Sequence, residues 1–577
     1  MACSQTFTSG RAGRPRSNSR NHSGIISLAI SNPPQSNGSI FPARSIAASL
    51  LNVIGIIAVT MLTISFNGGI GVGSSNHAGL LPVVRRILDP NYLPGDFNIT
   101  LRLYHHRVFA WLIAGLSKLI GEERGIILLH LAGAVLFAFA LWYLCRTLRL
   151  SLLSYLIAGL FLATGFLWTG LGLEENTFIG NIEVQPPLFA HSFVMLAAAC
   201  LLQSRYRLAA FFAGLTVLFH LQIGVICTLM IAPFFVVKLK SFGLREIIRL
   251  AVIYLLPASS AVMHLLEMMH RGLLRPTSTT WSLAYYINFR HPHHFELMSA
   301  AHGLWVGGHV LLQVVVYFRL RQMKRDEAPL VGGLLVMSLM LVGLALIHFA
   351  DYYLIKHDRI ANIQFIRLSP LITVFGTLCL ILFINVTMQK LGQKLGQKLG
   401  QQLSERINKA WLPGLASACL MLSATGWGIY TVRQPEASFH FGVQRYSERA
   451  TNWVAMCNWI RENGPRETAY LTPPAFDGFT VLTNRSNIVE FKLNPDGALL
   501  MAEWFERLQD LTGGKLANER GFKNRKPLNK AYGALSAEQF VALGIKYKAG
   551  YAVVPKTSKV NFETLHENDE LKLVKLP

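Results

Sequence analysis

The stretch "RRILDPNYLPGDF" (85–97) carries the first two acids of the chain, Asp89 and Asp96. Arg85, Arg86, Tyr92, Tyr104, His105 and His106 lie close by, and "GLEEN" (172–176) adds Glu174 and Glu175. A carboxylate in such company can act as general base on an acceptor hydroxyl or amine, or can help hold a divalent cation such as Mg2+ or Mn2+. Arginine and histidine can bind a phosphate. The plainer reading is turn chemistry, since Asp-Pro and Pro-Gly-Asp both build tight turns. Asp89 precedes Pro90 and has the stronger turn explanation, so Asp96 is favoured as the catalytic acid and Asp89 is the second choice.

Three further groups have the right residue types. "HLQIG" (220–224) sets His220 and Gln222 between two apolar runs, where they either satisfy backbone groups freed at a helix break or line a polar cavity. "DYYLIKHDRIANIQ" (351–364) offers Arg359 as a phosphate ligand, against the alternative of an interfacial anchor. "RHPHHFE" (290–296) holds His291, His293, His294 and Glu296 and invites a metal reading. It lacks the i, i+4 spacing of a helical site and a second cluster to complete four ligands, so an interfacial aromatic segment is the better expectation.

These groups must be positioned by membrane-spanning helices. Of 577 residues 52% are hydrophobic and 15% charged, and the apolar residues cluster in uncharged windows long enough to cross a hydrocarbon core as helices. The candidate spans are roughly 46–66, 125–145, 151–171, 186–203, 207–219, 223–237, 248–265, 302–318, 328–349, 365–387 and 410–431, about eleven crossings, with 207–237 read as two short ones. Basic connections follow at Arg146 and Arg149, "SRYR", "KLKSFGLREIIR", "RLRQMKR" and Lys390 to Lys398. All fall on one face if 207–237 is broken into two short crossings near His220 and 107–120 does not cross; by the positive-inside rule that face is cytoplasmic. The opposite, exterior face then holds the acidic loop 67–124, the Glu174 loop, the His220 break, residues 267–301 and 351–364, and everything after about 432.

Residues 1–45 are basic, acid-free and polar, as expected of a disordered cytoplasmic tail without a cleaved signal. Within the core of 46–432, the repeat "QKLGQKLGQKLGQQL" places a low-complexity cytoplasmic linker over 388–409. Residues 433–577 change to a mixed, charged and aromatic composition. "ATNWVAMCNWIREN" and "SAEQFVALGIKYKAG" read there as helices, and "TAYLTPP", "SNIVEFK" and "YAVVP" as strands, which predicts a soluble exterior α/β domain. The formal charge of +23 is spread through short loops rather than over one soluble face, so it reads as a topology signal and not as a nucleic-acid surface. Seven cysteines without paired spacing indicate neither a disulfide framework nor a zinc site.

A multispanning core, acids in the first and second exterior loops and a C-terminal exterior α/β domain together resemble the GT-C class of membrane glycosyltransferases. The runs "WIRENGPRETAYLTPP", "NRSNIVEFK" and "EWFERL" are similar to bacterial GT-C-like proteins of unassigned substrate. The resemblance implies transfer of a sugar from a polyprenyl-phosphate donor on the non-cytoplasmic face of a bacterial inner membrane. It implies Asp96 or Asp89 as the acidic loop residue and Glu174 and Glu175 as the second acidic pair. His105, His106, His220, Gln222 and Arg359 then become candidates for donor phosphate and substrate. Two other functions are compatible with a polytopic chain: a transporter or flippase working through the broken helix, and a non-catalytic assembly protein.

Overall fold

Apolar runs without internal charge fold as helices, because a helix satisfies its own backbone donors and acceptors where no water can. The computed structural model describes residues 44–74, 76–102, 106–164, 173, 182–273, 285–356, 360–399, 442–495, 497–516 and 519–577. Most of the basic tail, His105, Glu174, Glu175, Arg359 and the span expected at 410–431 lie outside these residues, as does the end of the low-complexity linker. Helices α1 (Arg44–Phe66), α2 (His77–Leu88), α3 (Phe97–Arg102), α4 (Arg107–Ile120), α5 (Glu122–Thr147), α6 (Leu152–Thr164), α7 (Pro186–Leu202), α8 (Tyr206–Phe219), α9 (Leu221–Lys238) and α10 (Leu244–His270) come first. They are followed by α11 (Ala300–Gln322), α12 (Ala328–Phe349) and α13 (Pro370–Leu399).

Among the described residues, seven helical segments are long and apolar enough to cross a membrane: Ala48–Phe66, Glu122–Thr147, Leu221–Ser241, Leu244–His270, Ala300–Gln322, Ala328–Ile355 and Ala361–Leu391. Leu152–Ala163, Pro186–Leu202 and Tyr206–Phe219 are apolar but shorter. This is the architecture of a helical membrane protein. The outer side of α10 fits it: Val252, Leu255, Leu256 and Met263 are each more than half exposed on one helix, a continuous apolar surface that water would not tolerate.

Helices α8 and α9 are separated by a sharp break at His220, whose backbone is extended and whose Nδ1 accepts the Ile223 amide at 3.4 Å as the cap of α9. The two helices pack tightly beyond the break; a Cβ on Gly224 would lie 2.5 Å from the Val217 Cα. Arg207 at the start of α8 pairs with Glu246 at the start of α10 at 2.8 Å, so α8 and α9 run out and back. Basic connections meet at that same end, with Arg149 on Asp326 at 3.0 Å and Arg205 on the Tyr143 hydroxyl at 2.9 Å.

The opposite end gathers the described part of the first loop, residues 182–186, the His220 break, residues 285–299, 351–356 and 360–369, and the described C-terminal segment. Gln222 reaches the Asn362 carbonyl at 3.4 Å, and the Leu173 amide donates to Ser369 Oγ at 2.8 Å. Helix α4 lies within this layer. It buries Phe109, Ala110, Ile113 and Ala114 while leaving Trp111 and Leu119 exposed, the two-faced pattern of a helix lying along an apolar boundary.

From Val443 onward the elements alternate: β2 (Val443–Arg445), α14 (Asn452–Asn463), β3 (Ala469–Leu471), α15 (Phe479–Thr483), α16 (Ala498–Leu511), α17 (Arg525–Gly533), α18 (Ala537–Tyr547), β4 (Ala549–Pro555), β5 (Thr564–Glu567) and β6 (Leu571–Lys575). Four strands form a sheet in the order β3-β4-β6-β5, parallel between β3 and β4 and antiparallel elsewhere. Helix α14 is capped by Thr451 and stops at Gly464, and α18 carries a Ser536–Gln539 capping box.

"SNIVEFK" departs from its expected strand and makes a single bridge, Tyr470 to Asn487. The cause is side-chain competition for backbone groups. Glu490 accepts the Gly478 and Phe479 amides at 2.9 and 3.0 Å, and Asn487 donates to Thr472 Oγ1 at 3.2 Å, so the segment is tied to the 477–480 turn instead of a strand edge. The α/β layer shares one apolar core with the loop-rich end of the helices: Val84, Phe109 and Ile113 pack among Trp453, Met456, Phe479, Val553 and Leu573. Residues 42–577 accordingly form one compact unit.

Candidate anion-binding site

The glycine-rich run after α1 becomes strand β1 (Ile70–Val72), which pairs in parallel with Val443–Arg445. On its other side the Gly71 amide donates to the Ile182 carbonyl at 2.8 Å and Gly71 bridges Glu183. A Cβ on Gly71 would stand 3.1 Å from Ile182, so glycine lets these backbones meet. Gly73, with φ +87°, then turns the chain into Ser74, whose hydroxyl donates to Glu183 Oε1 at 2.5 Å. Three segments distant in sequence are thereby held edge to edge.

Their junction walls a cavity of about 390 Å³ lined by Ser74, Glu183, Tyr446, Arg449, Asp477, Lys492, Phe522 and Arg525. Each wall has a local cause. Asp477 projects from the turn that Glu490 holds from below, and Gly478 in that turn has φ +81°, where a Cβ would also meet the Tyr446 ring at 2.9 Å. Arg525 begins α17 and pairs closely with Asp477, which Lys492 also faces at 3.9 Å.

The charge in this site is predominantly positive: Arg449, Lys492 and Arg525 line it against Glu183 and Asp477. A further guanidinium, Arg290, lies behind Phe522. It is held over the Phe491 and Phe522 rings at 5.1 and 4.8 Å and donates to the Phe491 and Lys492 carbonyls at 3.1 and 3.2 Å. Its Nη1 is buried and has no hydrogen-bond partner among the described residues, nor does Arg525 Nε. Buried cationic groups left without a full set of acceptors are costly, and an anion in the cavity would offset that cost for Arg525, which lines it, and for Arg290 behind Phe522 through its field alone.

Burial pushes Arg290 down to about 9; Asp477 opposes the shift, while Arg102 and Arg525 add to it. Burial likewise lowers Lys492, against the pull of Asp477 and Glu183. Glu183 is raised by burial, although Ser74 and Lys492 favour its charged form. Beneath the floor, burial and then repulsion from Asp477 bring Glu490 up to about 8. The arrangement can bind a phosphate or other multiply charged oxyanion, and it holds two carboxylates able to take a proton from a bound hydroxyl.

The residues singled out in the sequence take other places. Asp89 ends α2 and is exposed, and its carboxylate accepts the Asn91 amide at 2.9 Å in a local turn. Asp96 is buried and caps α3, accepting the Ile99 amide at 2.8 Å. Burial lifts it to about 6, opposed by hydrogen bonding with Ile99, Ser486 and Asn487. Neither lines the cavity. His106 and His220 come together, with ring centroids 5.2 Å apart, and His220 Nε2 lies 3.2 Å from Arg367 Nη1, a guanidinium not anticipated from sequence. Gln222 is half-buried beside this group. His105, Glu174, Glu175 and Arg359 fall outside the described residues.

Glu183, Asp477, Lys492, Arg449 and Arg525 were not singled out by sequence reasoning. A local signal does exist for some of them. Lys492 and Glu490 interrupt the apolar run "IVEFK", and Asp477 precedes a glycine between two phenylalanines. Their convergence is a long-range property that no local pattern contains.

A domain family of unknown function, DUF6798, matches residues 451–511. That span carries Asp477 and Lys492, the part of the cavity contributed between α14 and α16, and Glu490 beneath them. No curated protein matches the chain.

Proposed function

We propose that this chain is an integral membrane glycosyltransferase of GT-C type that binds a polyprenyl-phosphate-linked sugar donor on the non-cytoplasmic face. The cavity walled by Arg449, Lys492 and Arg525, backed by the incompletely satisfied Arg290, is the observation that supports this reading. Its cations suit the donor phosphate, whose charge grows as the sugar leaves, and Glu183 or Asp477 would accept the proton of the acceptor hydroxyl. In this reading Asp96 and Asp89 position backbone rather than react. His106, His220 and Arg367 lie at the same end and would meet the lipid side of the donor.

The accompanying topology has about eleven crossings, a cytoplasmic N-terminus and an exterior C-terminal α/β layer, in a bacterial inner membrane. The clustering of the basic connections at the end away from the cavity supports it. No step is assigned to Mg2+ or Mn2+, since Glu174 and Glu175, the acids expected beside Asp89 and Asp96, lie outside the described residues.

The test is transfer by the purified protein in lipid nanodiscs from a panel of polyprenyl-phosphate sugars, comparing wild type with Lys492→Met and Glu183→Gln. Loss of transfer in both, with normal folding, supports the assignment. Transfer at the wild-type rate in both would overturn it.

A further inference from the structure

Three imidazoles converge outside the lining of the cavity. Pro292 opens a single 3-10 turn, Pro292–His294, which folds His291 back toward His293 and His294. One ring nitrogen of each lies within 4.8 Å of those of the other two. The ring centroids are 5.4 Å apart for His291 and His293, 5.2 Å for His291 and His294, and 4.2 Å for His293 and His294. His291 is oriented from behind: its Nε2 lies 2.8 Å from Asn494 Oδ1 and donates to it, which leaves the lone pair on Nδ1. That Nδ1 is buried and has no hydrogen-bond partner among the described residues. A carbonyl-type acceptor on one ring nitrogen that frees the other is how metal-binding histidines are commonly held in their ligating tautomer.

We propose that His291, His293 and His294 form a binding site for a first-row transition cation of the Zn2+ type. Imidazole nitrogens suit Zn2+, Ni2+ and Cu2+, whereas Mg2+ and Ca2+ require oxygen ligands that this cluster does not supply. Zn–N bonds of roughly 2.0–2.1 Å put tetrahedral nitrogens roughly 3.4 Å apart, so the rings, now within 4.8 Å, need to close by about an ångström. Side-chain rotation can provide that shift. Three protein ligands leave a fourth position open to water or a ligand oxygen. Phe522 stacks on His293 at 5.1 Å and also lines the cavity, which places the metal one side chain from the anion site. The site stands on the histidine geometry alone, independent of the transferase reading.

Full-length protein carrying a tag without histidine, stripped with a chelator in detergent, would be titrated with Co2+ and then competed with Zn2+. The expected result is one equivalent of Co2+ with visible absorption of four-coordinate type, displaced by Zn2+. Asn494→Ala should weaken binding about 10- to 100-fold. His294→Ala and His293→Gln should abolish the one-equivalent band; the glutamine keeps a planar side chain against Phe522 and so guards against loss of the fold. Absence of a Co2+ band in the wild type, or wild-type affinity in His293→Gln, would overturn the proposal.

Discussion

Replacing Lys492 with Met separates binding from folding at the cavity. The Lys492 ammonium is largely desolvated and shared between Asp477, 3.9 Å away, and the field of Glu183. Removing it does not strand Asp477, which keeps its close pair with Arg525. Met preserves the stem that packs in the wall, so folding should be affected little. The anion, in contrast, loses a charge-assisted bond of about 1.5–3 kcal/mol, or roughly a 10- to 150-fold rise in Kd. The assay is calorimetric titration of wild type and Lys492→Met in nanodiscs with polyprenyl phosphate, repeated with inorganic pyrophosphate to separate the phosphate from the lipid chain. A Kd within two-fold of wild type, in a variant that unfolds at the wild-type temperature, would refute the placement of the phosphate.

Glu490 and Asp96 make a pH prediction. Glu490 is brought from an ordinary 4.5 up to about 8 and Asp96 from 3.8 up to about 6, so each holds its proton more tightly in the folded state. Their stabilising contributions are complete below the ordinary carboxylate range and are lost as pH rises, with a slope of about 1.4 kcal/mol per pH unit per group. These two groups therefore lower the melting temperature as pH rises from about 4 to about 8, Glu490 alone acting above about 6, and Glu490→Gln should flatten the limb between about pH 6 and 8; an equally steep limb in the variant would contradict the assignment. Gly478→Ala introduces a Cβ at a φ of +81° and 2.9 Å from Tyr446. It should cost about 1–2 kcal/mol from the backbone alone, read as a lower unfolding midpoint accompanied by weaker anion binding. Asp96→Asn keeps the oxygen that caps α3, so transfer should stay within a few-fold of wild type, while Asp96→Ala should lose about 1 kcal/mol of stability. Abolition of transfer by Asp96→Asn with an intact fold would restore Asp96 to the chemistry.

The helices were legible because their signal is local. Two short apolar runs, and a break at His220 required to keep the basic loops together, correspond to the observed α8 and α9. Helices α14 and α18 correspond in the same way to the runs "ATNWVAMCNWIREN" and "SAEQFVALGIKYKAG". Asp89 and Asp96 drew attention as the first acids of the chain, yet both sit where turn and cap chemistry alone would place them. The cavity was not legible because its walls come from residues 74, 183, 446, 477, 492 and 525. The pairing of β1 with Val443–Arg445, and the glycine that allows Ile182 against it, brings Ser74, Glu183 and Tyr446 together, while the Glu490-held turn and the start of α17 supply Asp477 and Arg525. The role of "NGGIGVG" (67–73) as the central strand of the junction depends on partners far along the chain.

The central claim is that the donor phosphate sits among Arg449, Lys492 and Arg525. A polyprenyl phosphate carrying a small photoreactive group on the phosphate end, crosslinked to the protein in nanodiscs and mapped by mass spectrometry, tests it directly. Crosslinks on peptides containing Ser74, Glu183, Tyr446 to Arg449, Lys492 or Phe522 to Arg525, suppressed by excess unlabelled polyprenyl phosphate, are the predicted result. Competable crosslinks confined to the Asp89 turn or to the end carrying Arg149 and Glu246 would contradict it.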